Sequence, residues 1–139
     1  MDKESNKATV LRYFLESHNH PYNLDIMDET CSPEYAEAHK AWQRMERTAF
    51  PDKHFTIEQI IAEDDKVVLR WTVRGTHLGE FWTPEGTVPP TQHHITLTTI
   101  AIFRLADGRI VEECNVIDWL SLLKQFGTEV KLPGLASEN

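Results

Sequence analysis

Two periodicities divide the chain. Near the N-terminus apolar residues recur at helical spacing: Val10, Leu11, Phe14 and Leu15 form a stripe that Ser5 or Asn6 can cap. The run from His18 to Asn23, with Pro21 inside it, interrupts that helix. Asn23 can cap a short second helix through Leu24 and Met27, which Pro33 ends. Residues 35–47 are rich in Ala, Glu, Lys, Gln and Met, which favours helix, although 35–39 also fits a short strand. From Pro51 the period becomes two. Phe55, Ile57, Gln59 and Ile61 alternate with His54, Thr56, Glu58 and Ile60. Asp64-Asp65 then marks a turn, and Val67, Leu69, Trp71 and Val73 give a strand with one apolar face. Glycines and prolines between Gly75 and Pro90 predict a long loop containing Phe81 and Trp82. His94 to Arg104 reads as a strand, Asp107-Gly108 as a hairpin turn, and Arg109 to Val116 as the last strand. Trp119 to Phe126 reads as a short helix closed by Gly127.

Helices first, then about four long antiparallel strands, then a short helix, imply an α+β fold. A curled sheet with N-terminal helices over one face can enclose a cone-shaped pocket, which suits a small apolar ligand. The expected organisation is one domain over 1–139, with a core at about 6–127 and a loose tail over 128–139.

The bulk numbers narrow the partners. The chain has 139 residues, 40% hydrophobic and 26% charged, and a net charge of −8. Such an acidic balance argues against nucleic acid and against anionic membrane surfaces. Cys31 and Cys114 form no metal-type spacing, and free thiols are the simplest expectation. The segment from Met1 to Lys7 is polar, and no apolar run approaches membrane-spanning length, so a cytoplasmic protein is expected.

Asp118 stands where the last strand meets the last helix. Counted at period two, it shares a face with Glu112, Cys114 and Val116. If that face lines the pocket, a carboxylate among apolar groups is desolvated and becomes a better base. The competing role is helix N-cap, for which Asp is a preferred residue. His39 and His77 are candidate polar groups of the pocket, Trp71 a candidate wall, and Trp82 a candidate lid residue. His93 and His94 point to opposite faces of a strand and cannot share a metal. No zinc spacing, GxSxG elbow, P-loop or GxGxxG is present. Neither a metal nor a cofactor is expected.

Several runs together resemble the SnoaL-like polyketide cyclases. They are Phe50 to Glu58, Arg70 to His77 followed by Gly79-Glu-Phe81, Pro89-Pro-Thr, Ile100 to Arg104, Asp107 to Glu113, and the closing Asp118, Leu122-Leu123 and Gln125-Phe-Gly127. The resemblance covers about residues 6–127. It implies a ketosteroid-isomerase-like α+β barrel, cofactor-independent ring closure by intramolecular aldol condensation, an aspartate base at Asp118, and a homodimer formed through the sheet face that does not hold the pocket. Many relatives carry Trp where this chain has Cys114, a change expected to widen the pocket. The expected activity is that of a cyclase or isomerase acting on a small polyketide-like carbonyl compound. The alternative is a non-catalytic domain binding a small apolar molecule in the same pocket.

Overall fold

The computed structural model describes residues 2–129, 131, 133 and 134, so much of the expected loose tail lies outside the described residues. The elements run α1 (Lys3–His18), α2 (Ile26–Thr30), α3 (Pro33–Ala49), β1 (His54–Glu63), β2 (Lys66–Thr76), β3 (Phe81–Thr83), β4 (Gly86–Val88), β5 (His94–Ala106), β6 (Arg109–Val116) and α4 (Trp119–Gln125). Two helix starts differ from expectation. Asp2 caps α1, its carboxylate accepting from the Ser5 amide at 2.7 Å, and α2 begins after Asp25 without a side-chain cap. Residues 35–47 are helical throughout. Ser32 caps α3 and Pro33 fills its first turn, where a missing N–H costs nothing.

The long strands form one antiparallel sheet in the order β1-β2-β5-β6, and β3 and β4 form a hairpin inside the expected long loop. The sheet is curved but not closed into a barrel. β1 and β6 remain edges, and helices complete the enclosure. Val10, Tyr13 and Phe14 of α1 are fully buried against Val67, Leu69 and Phe103 of the sheet. Each such side chain contributes roughly 1.5–3 kcal/mol of burial. A second cluster joins Met45, Ala49 and Phe50 to Phe81, Ile95, Leu122 and Phe126. Among the described residues no helix is long and apolar enough to cross a membrane.

Both edge strands carry a bulge, and both bulges invert the pattern of faces. In β1, Ile57 pairs with Trp71 but Gln59 pairs with Arg70, so Glu58 is an extra residue. In β6, Ile110 pairs with Leu105 but Glu112 pairs with Arg104, so Val111 is extra. A one-residue insertion moves every later side chain to the other face. Ile61, expected inside, is therefore 52% exposed, while Ile60 and Ala62 pack on the core. In β6, Ile110 is buried ahead of the bulge. Beyond it Glu113 and Asn115 turn inward and Glu112, Cys114 and Val116 turn out.

The β3–β4 hairpin is tied to the end of α3. The amides of Leu78 and Gly79 donate to the Ala49 carbonyl at 2.8 and 3.2 Å. A Cβ on Gly79 would lie 2.5 Å from the Thr48 carbonyl oxygen, so this approach requires glycine. The tether sets Phe81 inward and leaves Trp82 45% exposed.

Candidate active site

A cavity of about 460 Å³ lies between α1, α3, the concave face of the sheet and the start of α4. Its size is ordinary for a small-molecule site. Phe14, Trp42, Trp71, Phe81 and Trp119 supply flat apolar wall. Polar groups come from one stripe of α3, at His39, Gln43 and Glu46, with Tyr35 one turn before them reaching the cavity residue Glu113, and from Tyr13 and Thr99. They are joined by His18 of α1 and by Glu113 and Asn115 of β6.

Two cavity carboxylates have different surroundings. Glu46 pairs through Oε1 with Lys53 Nζ at 2.8 Å, and its Oε2 accepts from Trp42 Nε1–H at 3.3 Å. A cation therefore matches its charge. Among the described residues, half-buried Glu113 is held only by neutral donors: the Tyr35 hydroxyl at 2.6 Å on Oε1 and Asn115 Nδ2 at 2.7 Å on Oε2. Because the Tyr35 proton goes to Glu113, the Tyr13 hydroxyl donates in turn to Tyr35, at 3.0 Å. Burial is the main cause that holds both tyrosines well above the usual phenol range, so they remain donors. His39 stacks on Tyr35 with centroids 3.8 Å apart. Its Nδ1–H donates to the Tyr35 carbonyl at 2.9 Å, which leaves the Nε2 lone pair without a partner among the described residues.

The structure sets the expected site residues in different surroundings. Asp118 does not line this cavity. It caps α4, accepting from the Ser121 amide at 3.0 Å, is exposed, and borders a shallow surface groove with Leu120 and Lys124. Cys114 is likewise exposed on the outer face. The cause of both is the Val111 bulge, which exchanges the two faces of β6 after Ile110. His77 is also outside the cavity. It is fully buried in the second core cluster, stacked on Phe126 at 4.3 Å, with Nδ1 2.9 Å from Thr91 Oγ1. Trp82 lies on a surface groove beside Arg44 and Met45 and meets Trp42 edge-on. His39 and Trp71 do line the cavity. Glu113, His18, Gln43 and the tyrosine pair escape a reading of the sequence by strand parity. The helical spacing of Tyr35, His39, Gln43 and Glu46 is the signal that points to Tyr35 and Gln43; it does not reach Glu113, His18 or Tyr13. Burial pushes the Cys31 thiol up to about 11, which leaves it a poor nucleophile. Among the described residues no group of three or more His, Cys, Asp or Glu is placed to hold a metal ion.

Burial, reinforced by the Lys53 charge, holds His18 well below the usual value of 6.5, and burial lowers His77 as well. The folded chain therefore resists protonating His18, and to a lesser degree His77, while the unfolded chain takes up protons on them below pH 6.5 or so. Stability is thus complete above that pH and falls below it, by roughly 1.4 kcal/mol per pH unit from His18, until its folded-state value is reached. Urea denaturation between pH 7.5 and 5 should show this loss before carboxylates titrate. A flat profile over that range would contradict neutral burial of His18.

A family model of SnoaL-like polyketide cyclases matches residues 10–126. Among solved structures, a protein assigned as a SnoaL-like polyketide cyclase from Jannaschia sp. CCS1 superposes with a TM-score of 0.80 at 24% identity, covering 92% of this chain and 95% of that one. AclR from Streptomyces galilaeus, described as a candidate hydroxylase, has a TM-score of 0.77 at 26% identity, with 96% and 87% covered. IdmH from Streptomyces antibioticus, described as a candidate polyketide cyclase, has a TM-score of 0.72 at 26% identity, with 88% and 99% covered. Among curated proteins, none matches.

Proposed function

Because the chain belongs to the SnoaL-like polyketide cyclase family, we propose that it is a cofactor-independent enzyme that removes a carbon-bound proton beside a carbonyl of a small polyketide-like compound, with Glu113 as the base. The observation that carries this reading is the pair of environments just described. Glu46 is neutralised by Lys53, whereas Glu113 is a charge-unmatched carboxylate in an aromatic cavity. Such a C–H proton passes to the carboxylate and leaves an enolate. The enolate carbon bonds to a second carbonyl carbon of the same molecule, and the resulting alkoxide takes a proton. Atoms balance, and the ring product is an isomer of the substrate. The proton that Glu113 took is the one the alkoxide receives, relayed by His39 through its bare Nε2, and polar groups aimed at developing charge supply the stabilisation.

A non-catalytic binding module is the second reading. Its support is that both Glu113 oxygens already accept short hydrogen bonds, as in a structural anchor. The two differ in one measurement. The enzyme should accelerate, saturably, the exchange of solvent deuterium into the activated C–H of an aryl β-keto ester. Exchange no faster than in buffer would remove the catalytic reading.

The homodimer belongs to this proposal too. Ile61, Ile100, Ile102 and Val116 stay exposed on the outer sheet face, where Ile100 pairs with Val116 and Ile102 with Cys114. Two-fold pairing of that face would cover them.

A further inference from the structure

We propose that the side-chain carbonyl of Gln43 reads a hydroxyl group of the substrate, so that the cavity selects neutral, flat aromatic compounds with a free hydroxyl over their alkyl ethers. This rests on the cavity being the substrate site and adds a recognition residue to it.

The argument starts at Ser17. Its hydroxyl donates to the Tyr13 carbonyl at 2.7 Å, so its oxygen is an acceptor for His18 Nδ1 at 2.8 Å. The Phe14 carbonyl, 3.1 Å from the same Nδ1, can only accept. The imidazole proton therefore sits on Nδ1, and His18 Nε2 is bare. Gln43 Nε2 lies 2.7 Å from it and must donate. These bonds fix which way the amide faces. They leave Gln43 Oε1 buried with no partner, on a residue 3% exposed that lines the cavity. A buried acceptor without a donor is costly, and a ligand O–H relieves that cost where an ether oxygen cannot.

Charge and shape set the rest of the ligand class. Among the described residues no Lys or Arg lines the cavity, and the unmatched charge there is the Glu113 carboxylate, so an anionic ligand is repelled. Phe14, Trp71 and Trp42 offer faces to a ring.

The test compares 2-naphthol with 2-methoxynaphthalene by equilibrium dialysis against the wild-type protein, Gln43→Met and Glu113→Gln. The ratio of affinities, naphthol over ether, should fall about tenfold in Gln43→Met, the loss expected for one buried hydrogen bond. It should be kept in Glu113→Gln. If the Met variant fails to fold, Gln43→Asn serves, since its amide stops one methylene short. A ratio unchanged by substituting Gln43, a ratio that collapses in Glu113→Gln instead, or no binding of either compound would overturn the proposal. Failure of the catalytic reading is distinct. There the naphthol preference persists and depends on Gln43, while the wild-type protein exchanges no deuterium.

Discussion

Replacing Glu113 with Gln is expected to cut turnover by about 10²–10⁴-fold, the usual contribution of a positioned general base. The amide keeps the size of the side chain and can still accept from Tyr35, so the cavity keeps its shape. What disappears is the group that takes the proton. Substrate affinity should change far less than rate, because the base acts on the reacting C–H bond rather than on the bound ring system. Steady-state kinetics of a cyclisable β-polyketone, with the fold checked by circular dichroism, decides the matter. A variant within threefold of wild type would remove Glu113 from the chemistry.

The paired control is Asp118. Asn is as good an N-cap as Asp, so Asp118→Asn should alter neither rate nor stability appreciably. Asp118→Ala should lose about 1 kcal/mol of stability through the Ser121 amide, again without a loss of rate. The opposite result, with Asp118→Asn inactive and Glu113→Gln active, would return the base role to the helix cap.

That strand parity puts Asp118 on the cavity side, where the structure has Glu113, comes down to one residue. The strands of the sheet are legible because Val67, Leu69, Trp71 and Val73 alternate cleanly and Asp107-Gly108 supplies the left-handed turn, with φ of 51° and 76°. The edge strands are not, because a bulge leaves no compositional mark. Val111 and Glu58 look like any strand residue, yet each reverses the parity after it. β5 gives no help, since Ile100 and Ile102 on its outer face are as apolar as Ala101 and Phe103 on its inner one. The helical half of the site is legible in a different register. Tyr35, His39, Gln43 and Glu46 fall on one stripe of α3, polar but facing a sheet, which is unusual unless the sheet and helix enclose a wet or ligand-filled space. His77 shows the converse. It follows a strand beside a Gly/Pro-rich loop, a setting that suggests exposure, yet Phe50 and Phe126 enclose it completely because α4 folds back beside β5. Gln125 secures that return. Its side chain accepts from the Thr96 amide at 2.8 Å and donates to the Thr96 carbonyl at 2.9 Å, pairing the part of β5 that β6 leaves open.

Lys53→Met is expected to cost about 3–5 kcal/mol, a large share of the roughly 5–15 kcal/mol that holds a protein of this kind together. The Lys53 side chain is completely buried and Glu46 is 16% exposed. Lys53 Nζ also lies 5.0 Å from the Phe55 ring centroid and 5.3 Å from that of Tyr22, so it sits against ring faces that favour a cation. Removing the cation strands a cavity carboxylate with only the Trp42 N–H as partner, and the penalty comes from that unmatched charge more than from the lost attraction. The double variant Lys53→Met/Glu46→Gln should therefore be more stable than Lys53→Met alone, because it removes the stranded charge too. Urea denaturation of the two single variants and the double gives the coupling directly. Equal stability of Lys53→Met and the double variant would mean that Glu46 is not held as a charge by Lys53. The distinction between the two cavity carboxylates, and with it the choice of Glu113 as base, would then lose its footing.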